Sequence, residues 1–580
     1  MKLNYLIYLF LTIGCLNSCS KQGFLDETVT TDLDETTVFA DSTFTTAFLS
    51  DIYNQVGFSS DPGRFRSYFT NNGGLQTSTD EAEPRITSDI TTDVEFITGT
   101  INPVIVSDDA WRIGYSNIRK VNQLLLHLPE TPLTSARKQR YEGEARFLRA
   151  WYYSLLLKHY GGIPMVGDEI FELGDEIPLT RNTYAQCVDY IISELNAAGE
   201  LLPTDPSGRD YGRAGAGACL ALKARVLLFA ASPLHNGTDY EAPYNELLGY
   251  PENDMNRWKL AMDAAESVIG LGSYSLYVDN EEVPGRGFYR IWVANDFISQ
   301  NASSGNIFVH KSTYATPGRA GLFNPPSRGG GGGGYPYQES VDVFNMANGK
   351  TITDPNSQYN PEDPYVNRDP RLYFSIVFDQ VPKQNGFDPD VPVDIYLGNY
   401  NGVLSGQDAV HSGTPTGYYI NKMMHKVSAA NYFIATDQSR PLIRYAEILL
   451  NYAEARNEFQ GPDELVYQAV EAVRERAGLS PFQLESGMSK DQMRATIRQE
   501  RRVELMFEGF RFWDVRRWMI AEDTENRTMT GMEVIRDGAS VEYNRFNVRK
   551  HVFRPAAYFW PIPYDEIAKS EELIQNPFYN

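Results

Sequence analysis

The sequence predicts a mainly α-helical chain, with tetratricopeptide-like helical hairpins as a scaffold and one long, irregular, loop-rich region set into it. Three observations predict this. Apolar residues repeat at helical spacing in three clusters. Alanines crowd where two of those helices must cross. Between Ser273 and Asp437 the helical period gives way to Gly, Pro, Asn, Asp and Tyr. With 580 residues, 42% hydrophobic and 13% aromatic, the chain is rich enough for a large core and poor in the signature of disorder.

The first element is a leader. Lys2 precedes a mostly apolar run from Leu3 to Ile13, and Leu16-Asn17-Ser18-Cys19 follows. A basic start, a short apolar core and small residues before a cysteine form a bacterial lipoprotein export signal. The run is too short to span a bilayer, which takes roughly 20 residues. Residues 1–18 are therefore expected to be removed, leaving Cys19 as the acylated first residue. Buried methylenes hold such an anchor at about 0.8 kcal/mol each, and more than one chain makes it stable. The body, 19–580, is expected to be a single domain. Its scaffold covers 40–272 and 438–580, and 273–437 forms the insertion.

The net charge of −23 opposes binding to a phosphate backbone, so nucleic acid is excluded as a partner. The same charge opposes an anionic membrane surface, and no later segment is apolar enough to cross a bilayer. Attachment falls to the lipid.

The first helical cluster runs from Ser107 to Tyr160. Leu148, Tyr152, Leu155 and Leu156 make one apolar stripe, and Gly161-Gly162-Ile163-Pro164 stops the helix. Trp111, with Tyr115 and Ile118, reads as core. The second cluster, Asn182 to Gly270, carries Ala214, Ala216, Ala218, Ala221 and Ala224. Small side chains let helices approach closely. The third, Arg444 to Trp518, pairs two helices across Gly461-Pro462. Adjacent pairs of this kind match the tetratricopeptide pattern, though not its strict repeat of about 34 residues.

The insertion includes six consecutive glycines, Gly329 to Gly334, before Tyr335-Pro336-Tyr337. Such a run reads as a floppy surface loop or as a flap over a site. The two cysteines outside the leader, Cys187 and Cys219, sit in helical patterns without metal-ligand spacing and read as buried thiols. Seven histidines are widely scattered. Asp354 and Asn356 lie in an oxygen-rich loop of the kind calcium uses, but no metal and no cofactor is assigned.

Several segments recur in one family. They include Gly143-Glu-Ala-Arg-Phe-Leu-Arg-Ala-Trp-Tyr-Tyr153, Tyr160-Gly-Gly-Ile-Pro164 and Asn367-Arg-Asp-Pro-Arg371. Further on stand Arg444-Tyr-Ala-Glu-Ile-Leu-Leu-Asn-Tyr-Ala-Glu-Ala-Arg456, Ile497-Arg-Gln-Glu-Arg-Arg-Val-Glu-Leu505, Phe507-Glu-Gly-Phe-Arg-Phe-Trp-Asp514 and Trp560-Pro-Ile-Pro563. Together with the Cys19 leader, and in this order, they resemble the SusD/RagB family of nutrient-uptake lipoproteins. The resemblance implies a SusD-like fold with the ligand site in its loop-rich half and an outer-membrane, cell-surface location. It also implies a SusC-like TonB-dependent transporter as partner, over which the protein sits as a hinged lid.

Arg501 with Glu504, Glu508 with Arg511, and Arg511 with Asp514 stand at i, i+3 and are expected to pair along one helix face. Arginines beside carboxylates keep them ionised, which suits a structural frame better than acid catalysis. Arg444, Glu447, Glu454 and Arg456 are read in the same way. No catalytic motif appears, so the chain is not read as an enzyme.

The chemistry left is oligosaccharide binding. Aromatic rings pack on the apolar face of a pyranose and polar side chains take its hydroxyls. The loop Asn71 to Arg85 and the aromatics Phe288, Tyr289, Trp292, Tyr314, Phe323, Tyr335 and Tyr337 offer both. Placing these beside the family's pocket positions selects Arg85, Tyr314 and Tyr335 first, then Asp80, Glu81, Phe323 and Tyr337. Trp292, flanked by Ile291 and Val293, is expected to pack. The alternatives are a peptide-binding, RagB-like member of the same family, a lipid-anchored glycosidase and a pure scaffold.

Overall fold

The computed structural model describes residues 34–65, 73–85, 90–172, 174–177, 179–293, 303–312, 322–331, 333–385, 388–424 and 438–579. The leader with Cys19, and Tyr314, lie outside them. The described residues are 46% helical against 11% strand, so the chain is mainly α.

The scaffold helices are α1 (Ser42–Tyr53), α2 (Ala110–His127), α3 (Ser135–Tyr160), α4 (Tyr184–Leu201), α5 (Ala216–Ala231) and α6 (Asn256–Gly270). After the insertion come α7 (Tyr445–Gln460), α8 (Glu464–Arg476), α9 (Lys490–Glu504) and α10 (Phe510–Arg517). From α2 to α8 each helix packs on the next, and α6 meets α7 directly across the inserted residues. The scaffold is therefore one continuous stack.

Local chemistry sets the helix ends. The Thr134 hydroxyl accepts from the Arg137 N–H to open α3, and reciprocal Thr183/Gln186 and Ser489/Gln492 pairs open α4 and α9. At the far end of α3, Gly161 turns the chain with φ of 76°. A β-carbon there would stand 2.7 Å from the Leu247 carbonyl, so only glycine fits. Leu148, Tyr152, Leu155 and Leu156 are all buried, each contributing about 1.5–3 kcal/mol. Ala218, Ala221 and Ala224 are buried where α5 packs on its neighbours. Cys187 and Cys219 are buried free thiols.

The insertion is more ordered than its composition suggests. Strand 306–312 pairs antiparallel with strand 438–444, so the inserted chain leaves and re-enters the scaffold side by side. Within it lies a second core, with Phe323, Phe344, Tyr365, Leu372, Tyr396 and Ile420 packed on Ala82, Met506, Phe507 and Met532. The described part of the glycine run is threaded tightly. A β-carbon at Gly330 would fall 1.5 Å from the Asn324 carbonyl, and Gly333 and Gly334 are buried. Neither a loose surface loop nor a flap fits those glycines.

The sequence reading placed no sheet after residue 438. The structure has a long hairpin there, 528–537 with 540–550, turned by Gly538-Ala539. Strand 528–537 also pairs with 397–400, and strand 540–550 is one edge of the resulting four-stranded sheet.

The charged helix ends form a frame, but not by the expected i, i+3 pairs. The chain turns sharply after α9, with Phe507 at φ 61° and Gly509 at φ 82°. Arg501 therefore reaches Asp514 (2.7 Å), while Glu504 takes Arg371 (3.2 Å), Arg444 (2.9 Å) and Arg476. Glu508 takes Lys422 (2.7 Å) and Arg444 (2.6 Å). Arg371 also holds Asp369 (2.7 Å) and Glu500 (2.5 Å). Arg371 and Lys422 belong to the insertion, so buried ion pairs bind it to the scaffold.

Candidate functional site

The loop before residue 85 and the aromatics after the glycine run meet as strands. Ala82–Glu83 pairs antiparallel with Tyr335–Pro336, opposing Glu83 to Tyr335. Beside this pair opens a cleft of about 490 Å³. Its walls come from three places: residues 83–85 with Tyr335, the turn His411–Pro415, and Phe546–Arg549 of the edge strand.

The structure distributes the sequence-selected residues unevenly. Arg85 is exposed in the cleft, and its Nη1 donates to the Gly331 carbonyl. Tyr335 lines the cleft but is only 5% exposed, with its ring against Tyr419 (centroids 5.8 Å apart). It offers an edge rather than a stacking face. Burial raises the Tyr335 hydroxyl pKa, and the nearby charge of Arg85 opposes that rise.

Asp80, Glu81, Phe323 and Tyr337 are buried and have structural partners in place of a ligand. Asp80 takes Arg511 (2.8 Å) and Arg502 (2.8 Å). Burial pushes its carboxyl up, but these two guanidiniums outweigh that and hold it well below the usual range. Glu81 accepts the Phe507 N–H at 3.3 Å; burial, then the charge of Asp80, push it up to about 8. Phe323 lies in the second core. The Tyr337 hydroxyl donates to Glu83 and meets His551 Nε2 at 2.9 Å. Of the four, Tyr337 touches the cleft wall, through Glu83. Phe288, Trp292 and Trp111 are buried as well, the two tryptophans as their neighbours predict.

Sequence reading missed the other wall. Phe546 is half-buried in the cleft, with His411 edge-on at 4.8 Å. His411 Nε2 lies 2.6 Å from Glu533. Arg549 holds Glu83 through Nε (2.8 Å) and Nη2 (2.6 Å). Ser412 and Asn547 add neutral donors and acceptors, while the Thr414 hydroxyl is spent within its own turn. The available signal was Gly538 between alternating runs, opening a two-residue hairpin turn that presents Phe546 among polar residues.

A ring edge, an aromatic face and several hydrogen-bonding groups around an open cleft suit a ligand with both apolar and hydroxylated faces. Among the described residues no group of acidic, histidine or cysteine side chains is placed to hold a metal.

Comparison with known proteins agrees with the order of motifs and the architecture. Residues 291–579 match the model described as the SusD family, and residues 24–228 match one described as "Starch-binding associating with outer membrane". SusD-like protein P38 of Formosa agariphila is 22% identical over 422 residues, 70% of this chain and 71% of that protein. SusD-like protein P2 of the same organism is 30% identical over 139 residues, 23% of this chain and 24% of that protein, so the match spans about a quarter of its length. A SusD-like protein from Bacteroides fragilis NCTC 9343 superposes with a TM-score of 0.74 at 28% identity, covering 94% of this chain and 99% of that one. The helical stack, its large insertion and both matching halves make this chain a member of the SusD/RagB family.

Proposed function

We propose that this protein is a cell-surface lipoprotein that captures oligosaccharide in the cleft between Arg85, Tyr335, His411 and Phe546 and delivers it to a SusC-like TonB-dependent transporter. The observation that carries the reading is the cleft itself, where Phe546 and the Tyr335 edge stand among Arg85, Asn547 and Ser412. A pyranose needs that mixture of ring and hydrogen-bonding groups. The matching model's starch-binding description supports the same class of ligand. Tyr314 stays a candidate contributor beside these residues.

The protein does no bond-breaking chemistry in this reading. A glycosidase sets two carboxylates about 5 to 9.5 Å apart across the bond it breaks. Among the described residues the cleft lining carries one, Glu83, and Arg549 grips it with two nitrogens. Attachment is through acylated Cys19, and among the described residues no helix is long and apolar enough to cross a membrane. A ligand held against the transporter drives lid closure only if it binds the closed state better than the open one.

One observation favours a peptide ligand as a second reading. Strand 540–550 is a sheet edge along the cleft, and an extended peptide can pair with such an edge.

Calorimetry of the soluble protein from Ser20 onward against oligosaccharide and peptide panels tests both. Saccharide binding that Phe546→Ala weakens about tenfold, with no new reducing ends, is the expected result; loss of one stacking ring costs about 1 kcal/mol or more. Peptide binding alone selects the second reading, and saccharide turnover overturns the non-catalytic one.

A further inference from the structure

We infer that the cleft selects acidic saccharides, with Arg85 as the group that binds a sugar carboxylate; this inference rests on the proposed glycan-binding reading. The chain carries a net charge of −23, so an anionic ligand approaches an unfavourable surface overall. The cleft departs from that average. Among the described residues its lining holds Arg85, Arg549 and His411 against one carboxylate, Glu83. Glu83 is spent on Arg549 and on the Tyr337 hydroxyl, and so presents no free negative charge to a ligand. His411 Nε2 lies 2.6 Å from Glu533, whose carboxylate is outside the cleft lining.

Arg85 differs. Its side chain is exposed, and among the described residues its guanidinium makes no ion pair; its bond runs from Nη1 to the neutral carbonyl of Gly331. Anchoring one nitrogen this way steadies the fork while the rest faces the cleft. A planar guanidinium matches a carboxylate with two parallel hydrogen bonds. Screening removes the influence of charges beyond about 8–10 Å, so this local cation outweighs the distant acidic surface at physiological salt. Phe546 stands in the same cleft to take the ring of the same sugar.

The test is calorimetry with tetragalacturonate and with maltotetraose as a neutral control of equal length. The expected result is uronate binding about tenfold tighter than the neutral sugar. That preference weakens as salt rises from about 50 to 500 mM. It disappears in Arg85→Gln and is partly restored in Arg85→Lys. Arg85 is exposed, and circular dichroism confirms that the variants fold. Maltotetraose binding equal to or tighter than tetragalacturonate overturns the inference while leaving glycan binding in place. A uronate preference that survives Arg85→Gln overturns the role of Arg85. Binding of neither sugar, nor of any other in the oligosaccharide panel, overturns both the inference and the reading beneath it.

Discussion

Tyr335 separates two kinds of contribution that one substitution confuses. Its ring is buried against Tyr419 while its edge reaches the cleft. Tyr335→Ala is expected to cost about 3 kcal/mol of stability through the cavity it leaves. Tyr335→Phe keeps the packing and removes only the hydroxyl. Thermal melts and calorimetry on both variants are expected to give a large drop in Tm for alanine, and a loss of affinity with little change in Tm for phenylalanine. Glu454 offers a pH test at the same scale. Burial pushes its carboxyl up, but Arg517 (2.7 Å) outweighs it, and the group falls from an ordinary 4.5 to about 2. Its stabilisation is therefore full above pH 4.5 and lost as pH falls through 2, a span worth on the order of 3 kcal/mol. Denaturant unfolding is expected to show the wild-type advantage over Glu454→Gln shrinking by about 2 kcal/mol between pH 6 and pH 3.

Between elements, the important contacts join the insertion to the scaffold. Arg371 links Asp369 beside it to Glu500 and Glu504 at the end of α9. Arg371→Met leaves those buried carboxylates short of a partner, which costs about 3–5 kcal/mol. Hydrogen exchange is expected to rise across residues 345–420 and to stay unchanged in α4 and α5. These partners also explain what was legible in the sequence. Helical period and glycine stops located the three clusters that hold α2 to α8, because each is a local property of the chain. The charged motifs 367–371, 444–456 and 497–514 were recognisable, yet their pairing was not. Spacing along one helix suggested Arg501 with Glu504, while the fold pairs each across the core. Asp80 and Glu81 looked like ligand groups for the same reason: nothing local announces that Arg502 and Arg511 stand more than 400 residues away. Phe546 and Arg549 escaped because a hairpin far down the chain swings back to the loop at 83–85.

For the whole molecule, the motifs that identify the family are largely those that hold the body together. The cleft is assembled from 83–85, 335, 411–415 and 546–549, between which no spacing rule runs. Fold class was therefore readable and the walls of the cleft were not. In the proposed reading Cys19 carries location and acts on the protein as a unit. Cys19→Ala is expected to shift the protein from the membrane fraction to the soluble fraction while leaving oligosaccharide affinity of the purified body unchanged. Fractionation with immunoblotting, followed by calorimetry, checks both halves.

The side-by-side strands 306–312 and 438–444 have a consequence for how such proteins diversify. Everything between them departs and returns through a single doorway, so a graft of different length asks little of the helices. It must still bring its own cations, because Glu500, Glu504 and Glu508 wait on the far side for Arg371 and Lys422. A transplanted insertion that lacks those two charges would be tethered at its hinge and packed against the body, yet unfastened from the end of α9.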